Sequence, residues 1–438
     1  MLWNAEIETM PRDALERLQL ERLQVQLRRV YERVPFYRAQ FAATGVRPSD
    51  LHGLDDLARF PFTRKSDLRE QYPYGLFAEP LSRVVRVHAS SGTRGKPTVV
   101  GYTARDIRIW AECCARSLAA GGAGPDDVVH NAYGYGLFTG GLGLHYGAER
   151  LGCTVVPVSG GNTPRQVLLL QDLGARILCC TPSYALNIAE HLHHHGIPLS
   201  TIHLRYGLFG AEPWSEALRA AIEEGLGITA VDIYGLSEIL GPGVAQECIE
   251  EKAGLHIWED HFLAEIVDPA TGAPLPEGTP GELVLTTLTK EAFPMIRYRT
   301  GDVCSLTREP CRCGRTHQRM TRIKGRTDDM LIVRGVNVFP SEIERVILGI
   351  PELSPHYQIV IDRSGPLAHL IVNAEVSEDF YRSAGGALRD TPPVRTVHDR
   401  AIHALDSTLG IRVRLHLHAP QTLPRSEGKA VRVVEQPA

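Results

Sequence analysis

The stretch Ser90-Ser91-Gly92-Thr93-Arg94-Gly95-Lys96-Pro97-Thr98 decides how the rest of the chain is interpreted. It follows the apolar run 84–87, which predicts a buried strand immediately before it. Hydroxyls, glycines and a lysine after such a strand indicate a phosphate-binding loop, because glycine lets backbone N–H groups approach an anion closely. The loop is not of the Walker type, since two residues separate its glycines and a proline follows its lysine. Taken alone, the same composition is also typical of a solvated turn.

Four further motifs follow this loop along the chain. They are Tyr234-Gly235-Leu236-Ser237-Glu238, Arg297-Tyr298-Arg299-Thr300-Gly301-Asp302, Gly325-Arg326-Thr327-Asp328-Asp329 and Pro424-Arg425-Ser426-Glu427-Gly428-Lys429. In this order the five motifs resemble those of the adenylate-forming superfamily of acyl-CoA synthetases, carrier-protein adenylation domains and luciferases. The order along the chain, rather than any single motif, favours a functional interpretation over ordinary turns.

Other segments narrow the resemblance to one branch of that superfamily. Among them are Val34-Pro35-Phe36-Tyr37-Arg38, Tyr133-Gly134-Tyr135-Gly136-Leu137-Phe138-Thr139-Gly140-Gly141, Gly207-Leu208-Phe209-Gly210-Ala211-Glu212-Pro213 and Arg334-Gly335-Val336-Asn337-Val338-Phe339-Pro340. They are similar to the phenylacetate-CoA ligase family over essentially the whole chain. The resemblance implies ATP-dependent activation of an aryl acid, with phenylacetate favoured, to acyl-AMP and then to a thioester with CoA.

The composition fits such a soluble enzyme. The 438 residues include 43% hydrophobic and 22% charged residues, enough for more than one domain. A net charge of −4 gives no electrostatic case for binding nucleic acid or an anionic membrane. No apolar run approaches the ~18 residues of a membrane span and none opens the chain, so a cytoplasmic location is expected. Nine cysteines in a long chain argue against a secreted disulfide framework.

The pattern of apolar runs predicts an α/β fold. Between 84 and 234 short apolar runs alternate with helical segments, which indicates α/β layers with largely parallel strands. After 241 the runs 262–267 and 281–287 predict a β-rich subdomain. A polar cluster at 322–329 can mark a boundary. We therefore predict a large N-terminal domain, 1–327, and a small α+β domain, 328–438. The resemblance implies that the first carries the ATP and aryl-acid sites and that the second is a mobile lid with the catalytic lysine.

The resemblance also implies the ATP site. Lys429 would bridge the substrate carboxylate and the α-phosphate, and Glu238 would bind Mg²⁺, a hard cation that prefers oxygen ligands. Tyr234 would stack on adenine and Asp302 would accept from the ribose hydroxyls. The remaining ATP-binding positions are Ser90, Ser91, Gly92, Thr93, Gly95, Gly210, Ala211, Glu212, Asp232, Gly235, Ser237 and Arg326.

The same resemblance assigns the acid and CoA sites. Asp328 matches the hinge of the rotating lid domain, and Arg334 and Gly335 match the CoA tunnel. Aromatic and glycine residues would form a flat apolar slot for the aryl group, although they also suit simple helix packing. The slot residues are Tyr133, Tyr135, Gly136, Phe138, Gly141, Ala211 and Ile233. Two residues depart from the family pattern, Arg94 in the phosphate loop and Leu144 near the slot.

Three cysteines and a histidine predict a possible structural zinc site. Cys248 and His256 are eight residues apart, and Cys311 and Cys313 form a C-x-C sequence. Three thiolates and an imidazole can complete a tetrahedral zinc shell. Buried free cysteines are the alternative.

Two other functions remain open at this stage. The protein could activate a substituted benzoate such as 3-hydroxyanthranilate and pass it to a carrier protein or an amine. It could also be a non-catalytic nucleotide-binding sensor, against which Lys429 and Glu238 argue. Family members are often dimers, so a homodimer is one assembly that the resemblance allows.

Overall fold

The computed structural model describes residues 1–90, 97–326, 331–333, 336–362, 369–425 and 432–436. The chain divides into two compact units. The first unit comprises Met1–Cys180, Pro198–Ala211 and Ile228–Ile323, and the second comprises Thr181–Ile197, Glu212–Gly227 and Lys324–Ala438. The domain boundary predicted at residue 327 stays a prediction.

The α-helices follow in chain order. They are α1 (Ala5–Glu8), α2 (Arg12–Arg33), α3 (Pro35–Thr44), α4 (Lys65–Glu70), α5 (Ala104–Ala120), α6 (Gly140–Leu151), α7 (Thr163–Asp172), α8 (Pro182–His194), α9 (Glu216–Leu226), α10 (Pro340–Leu348), α11 (Glu378–Ser383) and α12 (Pro392–Leu409).

The β-strands are numbered in the same way. They are β1 (Arg86–Ala89), β2 (Val99–Tyr102), β3 (Val128–Asn131), β4 (Thr154–Val156), β5 (Ile177–Cys180), β6 (Tyr206–Gly210), β7 (Thr229–Leu236), β8 (Gly241–Glu247), β9 (Leu255–Ile257), β10 (Phe262–Val267), β11 (Gly281–Thr287), β12 (Tyr298–Cys304), β13 (Leu306–Thr307), β14 (Arg319–Met320), β15 (Gly325–Arg326), β16 (Leu331–Val333), β17 (Val336–Val338), β18 (Leu353–Asp362), β19 (His369–Val376), β20 (Val413–His418) and β21 (Val433–Gln436).

A nine-stranded sheet, in the order β13-β14-β9-β8-β7-β6-β5-β3-β4, organises the first unit. Strands β4, β3, β5, β6 and β7 pair in parallel, and β8 then pairs antiparallel to β7. All four residues of β5 are buried, as a central parallel strand covered on both faces requires. This sheet confirms the predicted α/β layers. It also brings the ends of β6 and β7, which carry predicted ATP-site residues, next to each other.

Strands β10, β11 and β12 form an antiparallel layer in the same unit. Every residue of β11 is buried, and the predicted runs 262–267 and 281–287 coincide with β10 and β11. The β-rich region therefore has the position that the sequence indicated.

The apolar run 84–87 is not the buried strand that we predicted. Val85 is 62% exposed and Val87 is 38% exposed, and β1 begins only at Arg86. The physical reason is that β1 pairs antiparallel with β2 in a separate two-stranded sheet, which leaves one face uncovered.

The core of the first unit contains a buried ion pair as well as apolar side chains. Helix α2 contributes Leu23, Leu27 and Val30 at helical spacing. The Nη1 of Arg116 on α5 lies 2.8 Å from the Oδ1 of Asp260, and both side chains are 2% exposed. The pair fixes α5 against the segment between β9 and β10.

The second unit contains a four-stranded sheet in the order β20-β19-β18-β21. Strands β18 and β19 are antiparallel, whereas β20 and β21 pair in parallel with their neighbours. Apolar residues of α10 and α12 pack in one cluster with this sheet, which agrees with the predicted α+β arrangement. Across the parts of both units that the structure describes, no helix has the length and hydropathy needed to cross a membrane.

Candidate active site

The turn between β7 and β8 carries the predicted Mg²⁺ ligand. Glu238 is 8% exposed, and the hydroxyl of Ser237 lies 3.0 Å from the hydroxyl of Thr139. Gly235 is required here, because a Cβ at this position would lie 1.9 Å from the carbonyl oxygen of Gly241. The tight β7–β8 connection therefore fixes the backbone immediately before Ser237 and Glu238.

Two predicted nucleotide-binding residues meet, although 68 residues separate them in sequence. The Tyr234 hydroxyl donates to Oδ2 of Asp302 over 2.5 Å. Asp302 is 5% exposed and lies on β12, directly after Gly301, whose φ of +80° suits glycine. A half-buried aromatic ring beside a fixed carboxylate can bind a nucleoside, since the ring stacks on a base and the carboxylate accepts from hydroxyl groups.

Asp232 lies two residues before Tyr234 on β7, so both side chains are on the same face of the strand. Its carboxylate is 3.2 Å from Nε of Arg322. The neighbouring strand β6 ends at Gly210, where a Cβ would lie 2.1 Å from the carbonyl oxygen of Ile233. The structure therefore brings Asp232, Gly210 and Tyr234 to the same edge of the sheet.

Ala211 follows with a φ of +70° and an exposed side chain. Glu212 belongs to the second unit, where its carboxylate accepts hydrogen bonds from the backbone N–H and the hydroxyl of Ser183. Arg326 is also in the second unit, at the end of the short strand β15. The nucleotide roles of these three residues stay predictions.

The predicted aryl slot is partly a hydrogen-bonded network. Asn131 Nδ2 donates to the Tyr135 hydroxyl and to the Gly141 carbonyl, both over 2.8 Å, and Nδ1 of His145 lies 3.2 Å from the same hydroxyl. Burial raises the pKa of Tyr135, so its hydroxyl keeps its proton at neutral pH. The loop thus holds Tyr135 in one orientation.

The other slot residues lie along the same loop and the sheet. Tyr133, Ile233 and Leu144 belong to one buried apolar cluster, whereas Phe138 is 44% exposed. Gly136 has a φ of +124°, and a Cβ on Gly141 would lie 2.8 Å from the carbonyl oxygen of Gly134.

Part of the predicted site lies outside the described residues. Ser90 is described, and its N–H donates to the Thr98 carbonyl over 3.0 Å. The residues outside are Ser91, Gly92, Thr93, Gly95, Asp328, Arg334, Gly335 and Lys429. Their assigned roles stay predictions.

The four predicted zinc ligands come together in the first unit. The ligand atoms of Cys248, His256, Cys311 and Cys313 all lie within 4.8 Å of one another. Sγ of Cys248 is 3.5 Å from Sγ of Cys311, and Sγ of Cys313 is 3.4 Å from Nε2 of His256. Hydrogen bonding with Cys248 and, to a smaller extent, with His256 lowers the pKa of the Cys313 thiol.

Comparisons with known proteins identify the family of the chain. The sequence profile of the AMP-binding enzymes matches residues 78–288, and that of the AMP-binding enzyme C-terminal domain matches residues 335–436. A phenylacetate-coenzyme A ligase from Thermus thermophilus is 56% identical over 99% of this chain and 99% of its own length. The chain belongs to the phenylacetate-CoA ligase family. A relative of the same name from Escherichia coli is 53% identical over 98% of this chain and 96% of its own length.

A solved structure outside the phenylacetate-CoA ligases shares the fold. The 2-hydroxyisobutyryl-CoA ligase, crystallised in its postadenylation state with 2-HIB-AMP, superposes with a TM-score of 0.91. It is 31% identical, and the match covers 99% of this chain and 92% of that one.

Several residues around the site of this phenylacetate-CoA ligase family member carried no signal in the sequence. Asn131 and His145 orient Tyr135, and Thr139 contacts Ser237. Lys290 lies beneath the Glu238 turn, with Nζ 3.3 Å from the Ile239 carbonyl oxygen. A single polar residue outside a motif looks like a surface residue. Only the position of Asn131 directly after a predicted strand could have suggested that it has a role in the site.

Proposed function

We propose that this protein activates phenylacetate with ATP and transfers the acyl group to CoA. In the first half-reaction a carboxylate oxygen attacks the α-phosphorus of ATP, which forms acyl-AMP and releases pyrophosphate. In the second, the CoA thiol loses its proton and its sulfur attacks the acyl carbon, which releases AMP. The observation that carries this function is the identity of 52–56% to phenylacetate-CoA ligases over at least 98% of the chain.

The Tyr234–Asp302 pair supports the nucleotide part of the proposal. The tyrosine ring would stack on adenine while the Asp302 carboxylate accepts from the ribose hydroxyls. Because Tyr234 donates to Asp302, the carboxylate is already oriented before the nucleotide binds. Asp232, Gly235, Ser237 and Arg326 would complete the nucleotide site with the loop 90–95.

Glu238 fits the role of a magnesium ligand. Its carboxylate supplies the oxygen donor that a hard cation prefers, and the turn beside the nucleotide pair holds it in place. When bound, Mg²⁺ neutralises charge on the phosphate oxygens.

The loop 133–141 supports an aryl acid as the substrate. Tyr133 of this loop packs in one buried cluster with Ile233 and Leu144, and Leu144 would limit the depth of the slot. The Tyr135 hydroxyl is held by Asn131 and His145, and it could also accept a polar ring substituent. This observation keeps 3-hydroxyanthranilate as a second candidate acid.

The C-terminal part would supply the catalytic lysine. The match of 335–436 to the C-terminal domain of AMP-binding enzymes supports a separate domain, for which we propose the limits 328–438. Lys429 would bridge the two reacting anions, Asp328 would act as the hinge, and Arg334 and Gly335 would line the path of CoA.

AMP formation tests the function directly. Purified protein receives magnesium-ATP with phenylacetate or with 3-hydroxyanthranilate, each with and without CoA. We expect turnover with phenylacetate that requires CoA. Turnover only with the substituted benzoate and without CoA would favour the second candidate, and no aryl-dependent pyrophosphate exchange would favour a nucleotide sensor.

The variant Lys429→Ala tests the division of labour. We expect it to abolish acyl-AMP formation and to leave thioester formation from supplied acyl-AMP nearly unchanged. Equal loss in both assays would contradict the role of Lys429.

We also propose that Cys248, His256, Cys311 and Cys313 bind one structural zinc ion. Zinc–sulfur bonds of about 2.3 Å in a tetrahedral shell place ligand atoms close to the separations seen here. The His317 carbonyl lies 3.4 Å from Nδ1 of His256 and can accept a hydrogen bond from the Nδ1–H group. This arrangement leaves the lone pair of Nε2 for the metal. Four protein ligands leave no open position, so the ion would be structural.

Metal analysis of protein purified without a His tag tests the zinc proposal. We expect about one zinc per chain, with Cys311→Ser lowering both the zinc content and the melting temperature. Cys304→Ser is the control, because Cys304 is buried in the same unit and is not among the four clustered ligands. Equal zinc content in the two variants, or none in the wild type, would refute the site.

A further inference from the structure

Two backbone carbonyl groups of the turn that carries Glu238 accept hydrogen bonds from side chains elsewhere in the first unit. Within the turn, the N–H groups of Ile239 and Leu240 both donate to the Leu236 carbonyl over 3.1 Å. The Ile239 carbonyl accepts from Nζ of Lys290 over 3.3 Å, and the Leu240 carbonyl accepts from the Tyr102 hydroxyl over 2.8 Å. The two carbonyl groups that directly follow Glu238 are therefore held from outside the turn.

The two donors also contact each other. Nζ of Lys290 lies 3.6 Å from the centroid of the Tyr102 ring, a cation–π arrangement, and Lys290 is 3% exposed while Tyr102 is fully buried. The Tyr102 ring stacks on Trp110, whose Nε1 donates to the Pro242 carbonyl over 2.9 Å. The turn and the start of β8 thus rest on one buried aromatic layer.

The backbone around Lys290 is fixed independently of its side chain. The N–H groups of Glu291 and Ala292 donate to the Asp106 carboxylate over 2.7 and 3.0 Å, at the first turn of α5. The Gln26 side chain donates to the Lys290 carbonyl over 2.5 Å. Lys290 therefore extends from a rigid support to the turn.

A lysine at this position destabilises the fold more than an apolar side chain would, if packing is its only role. Burial of an ammonium group is unfavourable unless it is paired, and within the described ranges no carboxylate forms an ion pair with Lys290. Among the described residues, its ammonium contacts a carbonyl oxygen and a ring face. A methionine could fill the same space without the cost of burying a charge.

We propose that Lys290 and Tyr102 are positioning residues for the adenylation half-reaction. They hold the carbonyl groups after Glu238, and so keep its carboxylate oriented towards the divalent cation that accompanies ATP. This inference rests on the proposed function of Glu238. It assigns no contact with substrate to either residue.

The test uses variants of the full-length protein. Lys290→Met removes the donor to Ile239 and keeps a side chain of similar length, whereas Tyr102→Phe removes only the donor to Leu240. Lys65→Met, at an exposed lysine on α4, is the control for the first variant. Tyr37→Phe is the control for the second, because its buried hydroxyl donates to the Pro294 carbonyl far along the chain from the turn.

Three quantities are measured for each variant. The first is Mn²⁺ affinity in the presence of a non-hydrolysable ATP analogue, by electron paramagnetic resonance, since Mn²⁺ takes the oxygen ligands that suit Mg²⁺. The second is the Mg²⁺ concentration that gives half-maximal pyrophosphate exchange with phenylacetate. The third is thioester formation from supplied phenylacetyl-AMP and CoA, which needs no metal.

We expect Lys290→Met to weaken Mn²⁺ binding and to raise the Mg²⁺ requirement by roughly tenfold, the usual effect of removing a residue that orients a metal ligand. Tyr102→Phe should shift both quantities in the same direction by a smaller factor. Thioester formation should stay within about twofold of wild type in both variants and in the controls.

Unchanged metal affinity in both variants, or equal loss in both half-reactions by a folded Tyr102→Phe protein, would overturn the positioning role. Those results leave the proposed function intact, because the wild type still exchanges pyrophosphate. A wild type without exchange would overturn the proposed function and the positioning role together.

Discussion

Replacement of Lys290 by methionine should stabilise the protein below pH 7, even though we expect it to impair metal binding. Burial lowers the pKa of Lys290 from 10.5 to about 7, and the nearby Asp106 carboxylate opposes this shift. Among the described residues, His88 and the Tyr102 ring are the other titratable groups that interact with the ammonium. The unfolded chain therefore binds a proton that the folded protein releases between these two pKa values.

The sign and size of the effect follow from this difference. The stability contributed by the group is fully present above pH 10.5 and is lost as the pH falls towards 7. Each unit of pKa difference corresponds to about 1.4 kcal/mol, so the full loss is about 5 kcal/mol. At pH 9 the loss is only about 2 kcal/mol. Replacement of Lys290 by methionine removes this pH dependence. It also removes a hydrogen bond that stabilises the folded protein by about 1–3 kcal/mol at every pH.

Urea denaturation of wild type and Lys290→Met at pH 6.5 and pH 9 measures the effect. We expect the free energy of unfolding of the variant, relative to wild type, to fall by roughly 2–3 kcal/mol from the lower to the higher pH. Groups that titrate in both proteins cancel in this difference, and Lys65→Met should show no such change. A stability difference that is the same at both pH values would refute a depressed pKa for Lys290.

Three further variants test other contacts. Tyr234→Phe removes the donor to Asp302, so KM for ATP in pyrophosphate exchange should rise by roughly fivefold, equivalent to about 1 kcal/mol. Arg116→Ala removes the fully buried cation that pairs with Asp260, whose carboxylate keeps its contacts to Arg22 and His261. It should lower the free energy of unfolding by about 3 kcal/mol in urea denaturation. Tyr135→Phe should raise KM for phenylacetate and leave KM for CoA unchanged in the AMP-formation assay, since its hydroxyl orients the aryl loop.

Most of the fold could be predicted because its elements depend on local patterns. The runs 262–267 and 281–287 coincide with β10 and β11, because each is a short apolar segment whose pattern alone indicates a strand. The prediction of a buried strand at 84–87 was wrong for a non-local reason. Its hydrophobicity indicates a strand, but burial depends on what covers the strand. Among the strands that the structure describes, β1 pairs with β2 alone.

The site shows the same division between local and long-range information. The motifs identified Tyr234 and Asp302, and the structure brings their side chains together. Lys290 could not be predicted, because the sequence Thr289-Lys290-Glu291 looks like a solvated segment. Its burial arises from α5 and the β7–β8 turn, which lie far from it along the chain.

The two measurements on Lys290→Met separate a functional lysine from a structural one. A lysine retained for packing would make the variant less stable and less active in both half-reactions together. A lysine retained for positioning produces opposite signs, with stability gained at low pH and metal affinity lost. Residues at functional sites often lower stability in this way, because the orientation they enforce is not the one that packing alone would favour. If Lys290→Met raises stability at low pH and also weakens metal binding, the buried ammonium destabilises the fold because it is needed to orient Glu238.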